Sequence, residues 1–305
     1  MHHLPESVPG VADVEVIRGD RAANAVPTLL LEVPHGADRT AHYGACRALV
    51  HGPLPDDLEA FFHVNTDVGA WDLAVAIARR VVALRPDRAV LLVRSLLPRT
   101  LVDCNRAPGA TDQLATGGMT PCVPSYVRDP ADRDRLFALH RRWVDVVRAA
   151  HRVVVDAGGV AVEPHTYAPR SVGIDAIDDR IAARLRDAWA EPDRWPLRPE
   201  VDFITRTPDG RRPGAAALTD ALIAALREAG HEVVEGGTYA LVDATLGYTW
   251  AHEFEGRTTC FEVRRDLLVA RWDPFAEMTC DAAAVERFAE PIARIFADRS
   301  DWISS

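Results

Sequence analysis

The chain has 305 residues, with 48% hydrophobic and 26% charged side chains, an ordinary balance for a globular protein that can bury a core without staples. A formal net charge of -10 and the lack of any basic run argue against nucleic acid as a partner. Five cysteines without a C-x-x-C pair, no secretory apolar stretch near the N-terminus and no apolar run of membrane-spanning length lead to the expectation of a cytoplasmic protein with reduced thiols and no membrane partner.

The first predicted strand is TLLLEV, residues 28–33, which runs into Pro34-His35-Gly36; the missing donor of Pro and the freedom of Gly predict that it stops there. Residues 67–84 carry a helical stripe of Val68, Trp71, Val75 and Ala78, ended by Arg85-Pro86-Asp87. Strands are predicted at 89–93 and 100–104, and a long loop at 107–131. A strong helix follows at 132–151, where Leu136, Leu139, Trp143, Val146, Val147 and Ala150 recur at three- and four-residue steps.

Short apolar runs at 153–155 and 160–162 precede Glu163-Pro164-His165. Further helices are predicted at 175–189, 215–229 and 283–296, with Gly230 closing the second of them. Residues 191–214 read as a surface excursion, and TTCFEV at 258–263 as a strand. Strands alternating with long helices predict a three-layer α/β fold, and the chain reads as one domain over 1–305.

Polar groups gather where apolar strands stop, which is where open α/β sheets form their sites. His35 follows TLLLEVP, His165 follows VAVEP, Asn105 and Arg106 follow TLVDC, and Asp67 opens a helix. Histidine and carboxylate donors are the usual set for a catalytic zinc. His35 and Asp38 form an H-x-x-D pair, so Asp38 competes with Asp67 for the acidic position. Each residue has a plainer reading too: a hydrogen-bonded loop histidine, or a first-turn acid at Asp67. Glu262 lies inside an apolar strand, where a carboxylate that faces the core must be paired or functional; the structural alternatives are that it faces solvent or pairs with Arg264. Cys104 and Cys260 stand in apolar strand contexts, where a thiol is more often a small buried hydrophobe than a nucleophile. No serine elbow, phosphate loop or dinucleotide fingerprint is present.

Five segments in order resemble those of the N-formylglutamate amidohydrolase family, over about residues 28–268. They are Val33-Pro34-His35-Gly36; His63-Val64-Asn65-Thr66-Asp67-Val68-Gly69-Ala70; Arg99-Thr100-Leu101-Val102-Asp103-Cys104-Asn105-Arg106; His165-Thr166-Tyr167-Ala168-Pro169; and His252 ahead of Glu262-Val263-Arg264-Arg265-Asp266-Leu267. The resemblance implies a three-layer α/β/α sandwich with a mixed central sheet, of the phosphorylase/hydrolase-like kind seen in zinc carboxypeptidases. It implies one zinc per chain held by His35, Asp67 and His165, and a metal-dependent hydrolase of a linear amide bond. Glu262 stands at the position of the general base, with Arg106 and His252 as further catalytic candidates. Arg99, Asn105, Arg106, Tyr167 and Arg170 are the substrate-binding candidates, for a small carboxylate-bearing molecule. A monomer or small homo-oligomer is expected. Gly236 to Tyr239 and Asp243 to Trp250 replace the family's late Asn-x-Pro-Tyr segment, so a related N-acyl or amide substrate is as open as formylglutamate. A catalytically inert binder of an acidic metabolite, and a thiol-dependent enzyme using Cys104 or Cys260, are the competing readings.

Overall fold

The structure is a computed structural model that describes residues 3–108, 120–174 and 176–298. Its strands are β1 (Ala12–Arg18), β2 (Leu29–Val33), β3 (Ala89–Ser95), β4 (Val160–Tyr167), β5 (Val201–Phe203), β6 (Val233–Glu235) and β7 (Thr258–Arg264). Its helices are α1 (Thr40–Arg47), α2 (Leu58–Asn65), α3 (Ala70–Leu84), α4 (Pro130–Asp156), α5 (Ile181–Ala190), α6 (Ala216–Glu228), α7 (Leu246–Glu253) and α8 (Ala282–Asp298). The strands form one mixed sheet in the order β1-β3-β2-β4-β7-β5-β6. The central four, β3, β2, β4 and β7, are parallel to one another; β1 pairs antiparallel with β3, and β5 antiparallel with β7.

Helices cover both faces, as the alternation of strands and helices requires. Leu29, Leu31 and Val33 of β2 and Phe261 and Val263 of β7 pack in a core with α3, α6 and α8. Leu30 of β2 and Ala161 of β4 face α4, through Trp143, Val147 and Val154. Strand alternation puts Glu32, Glu163, His165 and Glu262 on the α4 side of the sheet. No described helix is long and apolar enough to cross a membrane.

Several elements depart from the sequence reading. The helix expected at 132–151 begins at Pro130, with the Asp129 side chain accepting the Asp132 N–H, and runs on to Asp156. It thus takes in the valines at 153–155. The strand expected at 100–104 is a chain of turns, because the Asp103 side chain and the Pro98 carbonyl take the local N–H groups that a ladder would use. The segment 191–214 is more than an excursion: it contributes β5, which pairs with β7. The helix expected from 175 begins at Ile181. Part of the long loop at 107–131 lies outside the described residues.

Candidate functional site

The carboxyl ends of β2, β3, β4 and β7 open on one side of the sheet. The chain goes from β2 through α1, α2 and α3 to β3 on one side, then crosses by α4 to β4 on the other. The crevice between β2 and β4 is therefore a topological switch point, where ligand sites form in open α/β sheets. His35 follows β2 and His165 lies near the end of β4, one on each side of it.

Between them lies Asp67, in the turn joining α2 to α3. The turn is fixed from several directions. Gly69 has φ of 89°, and a Cβ there would come within 2.9 Å of Leu268 Cδ1, so only glycine fits. The Thr66 hydroxyl donates to the Ala37 carbonyl at 2.9 Å, and the Thr166 hydroxyl donates to the Val68 carbonyl at 2.9 Å. Asp67 is thereby clamped to both the β2 and the β4 loop.

His35 Nδ1 is 3.3 Å and His165 Nδ1 2.9 Å from the same Asp67 oxygen, Oδ2. The three donors lie mutually within metal-binding reach. All three side chains are buried. The other oxygen of Asp67, Oδ1, is buried without a hydrogen bond, and so is His165 Nε2. Two imidazole nitrogens converging on a carboxylate with an unsatisfied oxygen are a donor set that could hold a metal ion, and these residues fit one. Asp38 does not join them: its carboxylate faces Arg39 at 3.6 Å and His42 at 3.9 Å.

Asp103 completes the arrangement. Its Oδ1 is 2.8 Å from His35 Nε2, while its Oδ2 accepts from Arg99 Nε at 3.0 Å and lies 3.1 Å from Arg106 Nη2. Burial works against its charge, but Arg106, Arg99 and His35 hold the carboxyl far below its usual range. An ionised Asp103 can accept a hydrogen bond from the Nε2–H of His35, which would leave Nδ1 for a metal held beside Asp67. Asp67 is likewise held well below the ordinary value; His35 and His165 together outweigh its desolvation. Arg265 sits beside it, with Nη2 at 3.7 Å from Asp67 Oδ1 and its other donors on the Val64 and Thr166 carbonyls.

Glu262 pairs in register with His165 across β4 and β7. Its Oε2 is shielded and without a hydrogen-bond partner. Burial raises its pKa, with Asp67 adding to the rise and His165, Arg99 and Arg198 opposing it. Arg264 does not pair with it; that guanidinium binds Asp266 at 2.9 Å and the Arg198 carbonyl at 2.9 Å.

The remaining candidates divide. Arg99 is at the site, only partly exposed, with Nη1 3.9 Å from Asp67 Oδ1. Arg106 is buried, and its donors go to the Thr120 carbonyl, the Asn105 carbonyl and Asp103. Asn105 fastens the β3 loop to the start of α7 by accepting the Gly247 N–H at 3.3 Å. Tyr167 donates to the Pro199 carbonyl at 2.6 Å. Arg170 binds Asp193 and the Trp195 carbonyl. His252 is exposed on α7, with its ring against Tyr248 and Nδ1 on the Tyr248 carbonyl. Neither Arg170 nor His252 contacts the His-Asp-His group among the described residues.

Cys104 is buried and accepts from the Ser95 hydroxyl at 3.1 Å. Cys260 lies near His165, but burial pushes its thiol up to about 12, which disfavours the thiolate a nucleophile requires. Behind the site lies a second buried polar pair that the sequence reading passed over, Glu32 and His151, 2.8 Å apart and fully buried. Asp103 and Arg265 stood in the quoted segments without a role assigned to them, and Arg198 was passed over. Asp103 had a signal in TLVDC, an acid at the end of an apolar run.

The fold is shared with solved structures. An N-formylglutamate amidohydrolase from Ralstonia eutropha aligns with a TM-score of 0.58 at 15% identity, over 95% of this chain and 98% of that one. A gene product from Agrobacterium tumefaciens aligns with a TM-score of 0.52 at 18% identity, over 94% of each chain. No protein-family model matches the sequence, and no curated protein matches it.

Proposed function

We propose that the chain is a single-domain, zinc-dependent amidohydrolase that cleaves the amide bond of a small N-acyl amino acid, N-formyl-like and carrying a carboxylate. The observation that carries this reading is the convergence of His35 Nδ1 and His165 Nδ1 on one oxygen of Asp67, with Glu262 directly across the strand pair from His165. The shared fold of the Ralstonia amidohydrolase is in keeping with it.

His35, Asp67 and His165 would hold the ion. Bound there, zinc supplies a water of lowered pKa and polarises the scissile carbonyl. Asp103 keeps His35 in the ligating tautomer. Glu262, raised by burial and lacking a hydrogen-bond partner at Oε2, accepts the proton of the attacking water and returns it to the leaving nitrogen. Arg99 stands at the site with part of its surface exposed, and its guanidinium donates to the oxygen that gains charge. Burial keeps bulk water from competing for these groups.

The test is hydrolysis of N-formyl, N-acetyl and N-succinyl amino acids by the protein as purified, after chelation and after zinc is restored. Turnover that chelation abolishes and zinc restores is expected. Hydrolysis that survives complete metal removal would sink the proposal, as would failure on every N-acyl amino acid.

A further inference from the structure

The arginines around the site are nearly all committed to carboxylates. Arg99 and Arg106 serve Asp103, Arg170 serves Asp193, Arg264 serves Asp266 and Arg265 approaches Asp67. Arg198 differs. Among the described residues it forms no ion pair, and its guanidinium contacts are neutral: the Ser171 hydroxyl at 2.9 Å, the Ala168 carbonyl at 3.3 Å and the Tyr239 hydroxyl at 2.8 Å. Its Cζ stands 5.1 Å from the Tyr167 ring centroid and 5.4 Å from that of Tyr239. A partly buried guanidinium held between two aromatic faces is a preorganised anion receptor, since ring faces hold the cation without neutralising it.

Its location ties it to the site. Tyr167 is two residues past His165 on β4 and shares its face of the sheet. The Arg198 backbone is anchored by its N–H on the Pro169 carbonyl and by Arg264 on its own carbonyl. Arg198 is also one of the charges that favour ionisation of Glu262. Tyr239 is brought alongside by a second device. Asp202, buried on β5 and paired in register with Glu262, accepts the Gly237 and Thr238 N–H groups and so fixes the turn that carries Tyr239. Tyr239 is 43% exposed, so the ring is accessible from solvent. Its hydroxyl accepts from Arg198, which leaves its own proton to donate.

We infer that Arg198 and the Tyr239 hydroxyl form the subsite that binds a carboxylate of the substrate, a role for which the buried Arg106, its charge already paired with Asp103, is less suited. Arg198 supplies the charge and Tyr239 a second donor, so acidic substrates are selected over their neutral amides. This rests on the proposed hydrolase reading for the word substrate, but the anion subsite itself can be tested without turnover.

The probe is glutarate, with glutaramide as its neutral counterpart, titrated calorimetrically into the protein as purified. The variants are Arg198→Gln, Arg198→Lys and Tyr239→Phe, with melting temperature measured on each preparation. The wild type should bind glutarate and not glutaramide. Arg198→Gln should weaken glutarate binding by about tenfold or more, the worth of a charge-assisted hydrogen bond. Arg198→Lys should recover part of that loss, and Tyr239→Phe should show a smaller one, all at unchanged melting temperature. Equal binding of glutarate by wild type and Arg198→Gln overturns the inference, as does no glutarate binding by the wild type. A loss that follows a fall in melting temperature and is not recovered by lysine also overturns it. Glutarate binding that depends on Arg198, in a protein that hydrolyses no N-acyl amino acid, would sink the hydrolase reading and leave the subsite standing. Hydrolysis with no such dependence would do the reverse.

Discussion

Asp103 Oδ1 lies 2.8 Å from His35 Nε2, so an acid 68 positions along the chain decides which face of that imidazole carries its lone pair. The two loops meet because β2 and β3 are parallel neighbours whose carboxyl ends coincide. Asp103→Asn keeps the shape and removes the charge. Metal affinity, measured by competition with a chromophoric chelator, should fall by roughly 10- to 100-fold, as for other outer partners of ligating histidines. An unchanged affinity would show that His35 is oriented by something else.

Removing the donors themselves should have a larger effect. The protein as purified should contain about one zinc per chain on the tetrahedral-site chemistry of two imidazoles and a carboxylate. His35→Ala, Asp67→Ala and His165→Ala should each lose most of it. Metal analysis of the four preparations checks this, and full retention in any one variant removes that residue from the ligand set.

Glu262→Gln separates catalysis from binding. The side chain keeps its size and one acceptor oxygen but cannot take a proton. Its kcat should fall by roughly 10²- to 10⁴-fold, the usual worth of a positioned base, with zinc content and melting temperature intact. Since Arg264 is engaged by Asp266, no lost ion pair with Arg264 is expected to lower stability. Near-normal turnover with full zinc would end the general-base assignment.

Arg106→Ala should show mainly a folding defect. The guanidinium is buried, and its loss leaves Asp103 with less counter-charge and the Thr120 carbonyl without its donor. Breaking a buried pair typically costs about 3–5 kcal/mol, so the urea midpoint should drop sharply. The ratio of activities on acidic and neutral substrates should stay as in the wild type. A selective loss on acidic substrates at normal stability would restore Arg106 as the carboxylate clamp.

The Glu32–His151 pair predicts a pH dependence of stability. Burial pushes Glu32 up to about 8 from an ordinary 4.5, and burial pushes His151 down to about 4 from 6.5. For Glu32 the folded state binds its proton more tightly than the unfolded chain. That contribution is complete below pH 4.5 and lost as pH rises through 8. For His151 the sign reverses: its contribution is present above pH 6.5 and lost as pH falls toward 4. Glu32→Gln, which stays neutral, should abolish the alkaline part alone. The wild-type melting temperature should fall relative to the variant from about pH 4.5 up to about pH 8, by about 5 °C between pH 6 and 8 alone, with no divergence below pH 4.5. Parallel curves above pH 6 would mean that Glu32 is ionised in the folded protein.

Much of the fold is legible in the sequence because local burial leaves local patterns. The run from Leu29 to Val33, apolar but for Glu32, is a strand covered on both faces, and the stripe from Leu136 to Ala150 is a helix face against the sheet. The stops at His35, His165 and Glu262 are visible for the same reason, since polar groups interrupt apolar runs where strands reach the crevice. The short strands β5 and β6 and the helices α1 and α2 are less visible. Three residues are too few for a period, and α1 has only Tyr43 and Cys46 buried.

What the sequence could not decide is which polar groups meet. Asp38 is three residues from His35 and Asp67 is thirty-two, yet Asp67 shares its oxygen with both histidines. Arg106 lies in the motif and Arg198 in a proline-rich stretch, yet the first is enclosed and the second is left without a counter-charge among the described residues. A chain pattern records whether a side chain is buried. Its partner is set by the strand order β3-β2-β4-β7-β5 and by the turns at the strand ends, which bring residues up to a hundred or more positions apart within hydrogen-bonding distance. Only the tertiary structure holds that information, because each such contact depends on long-range pairing that no local period encodes.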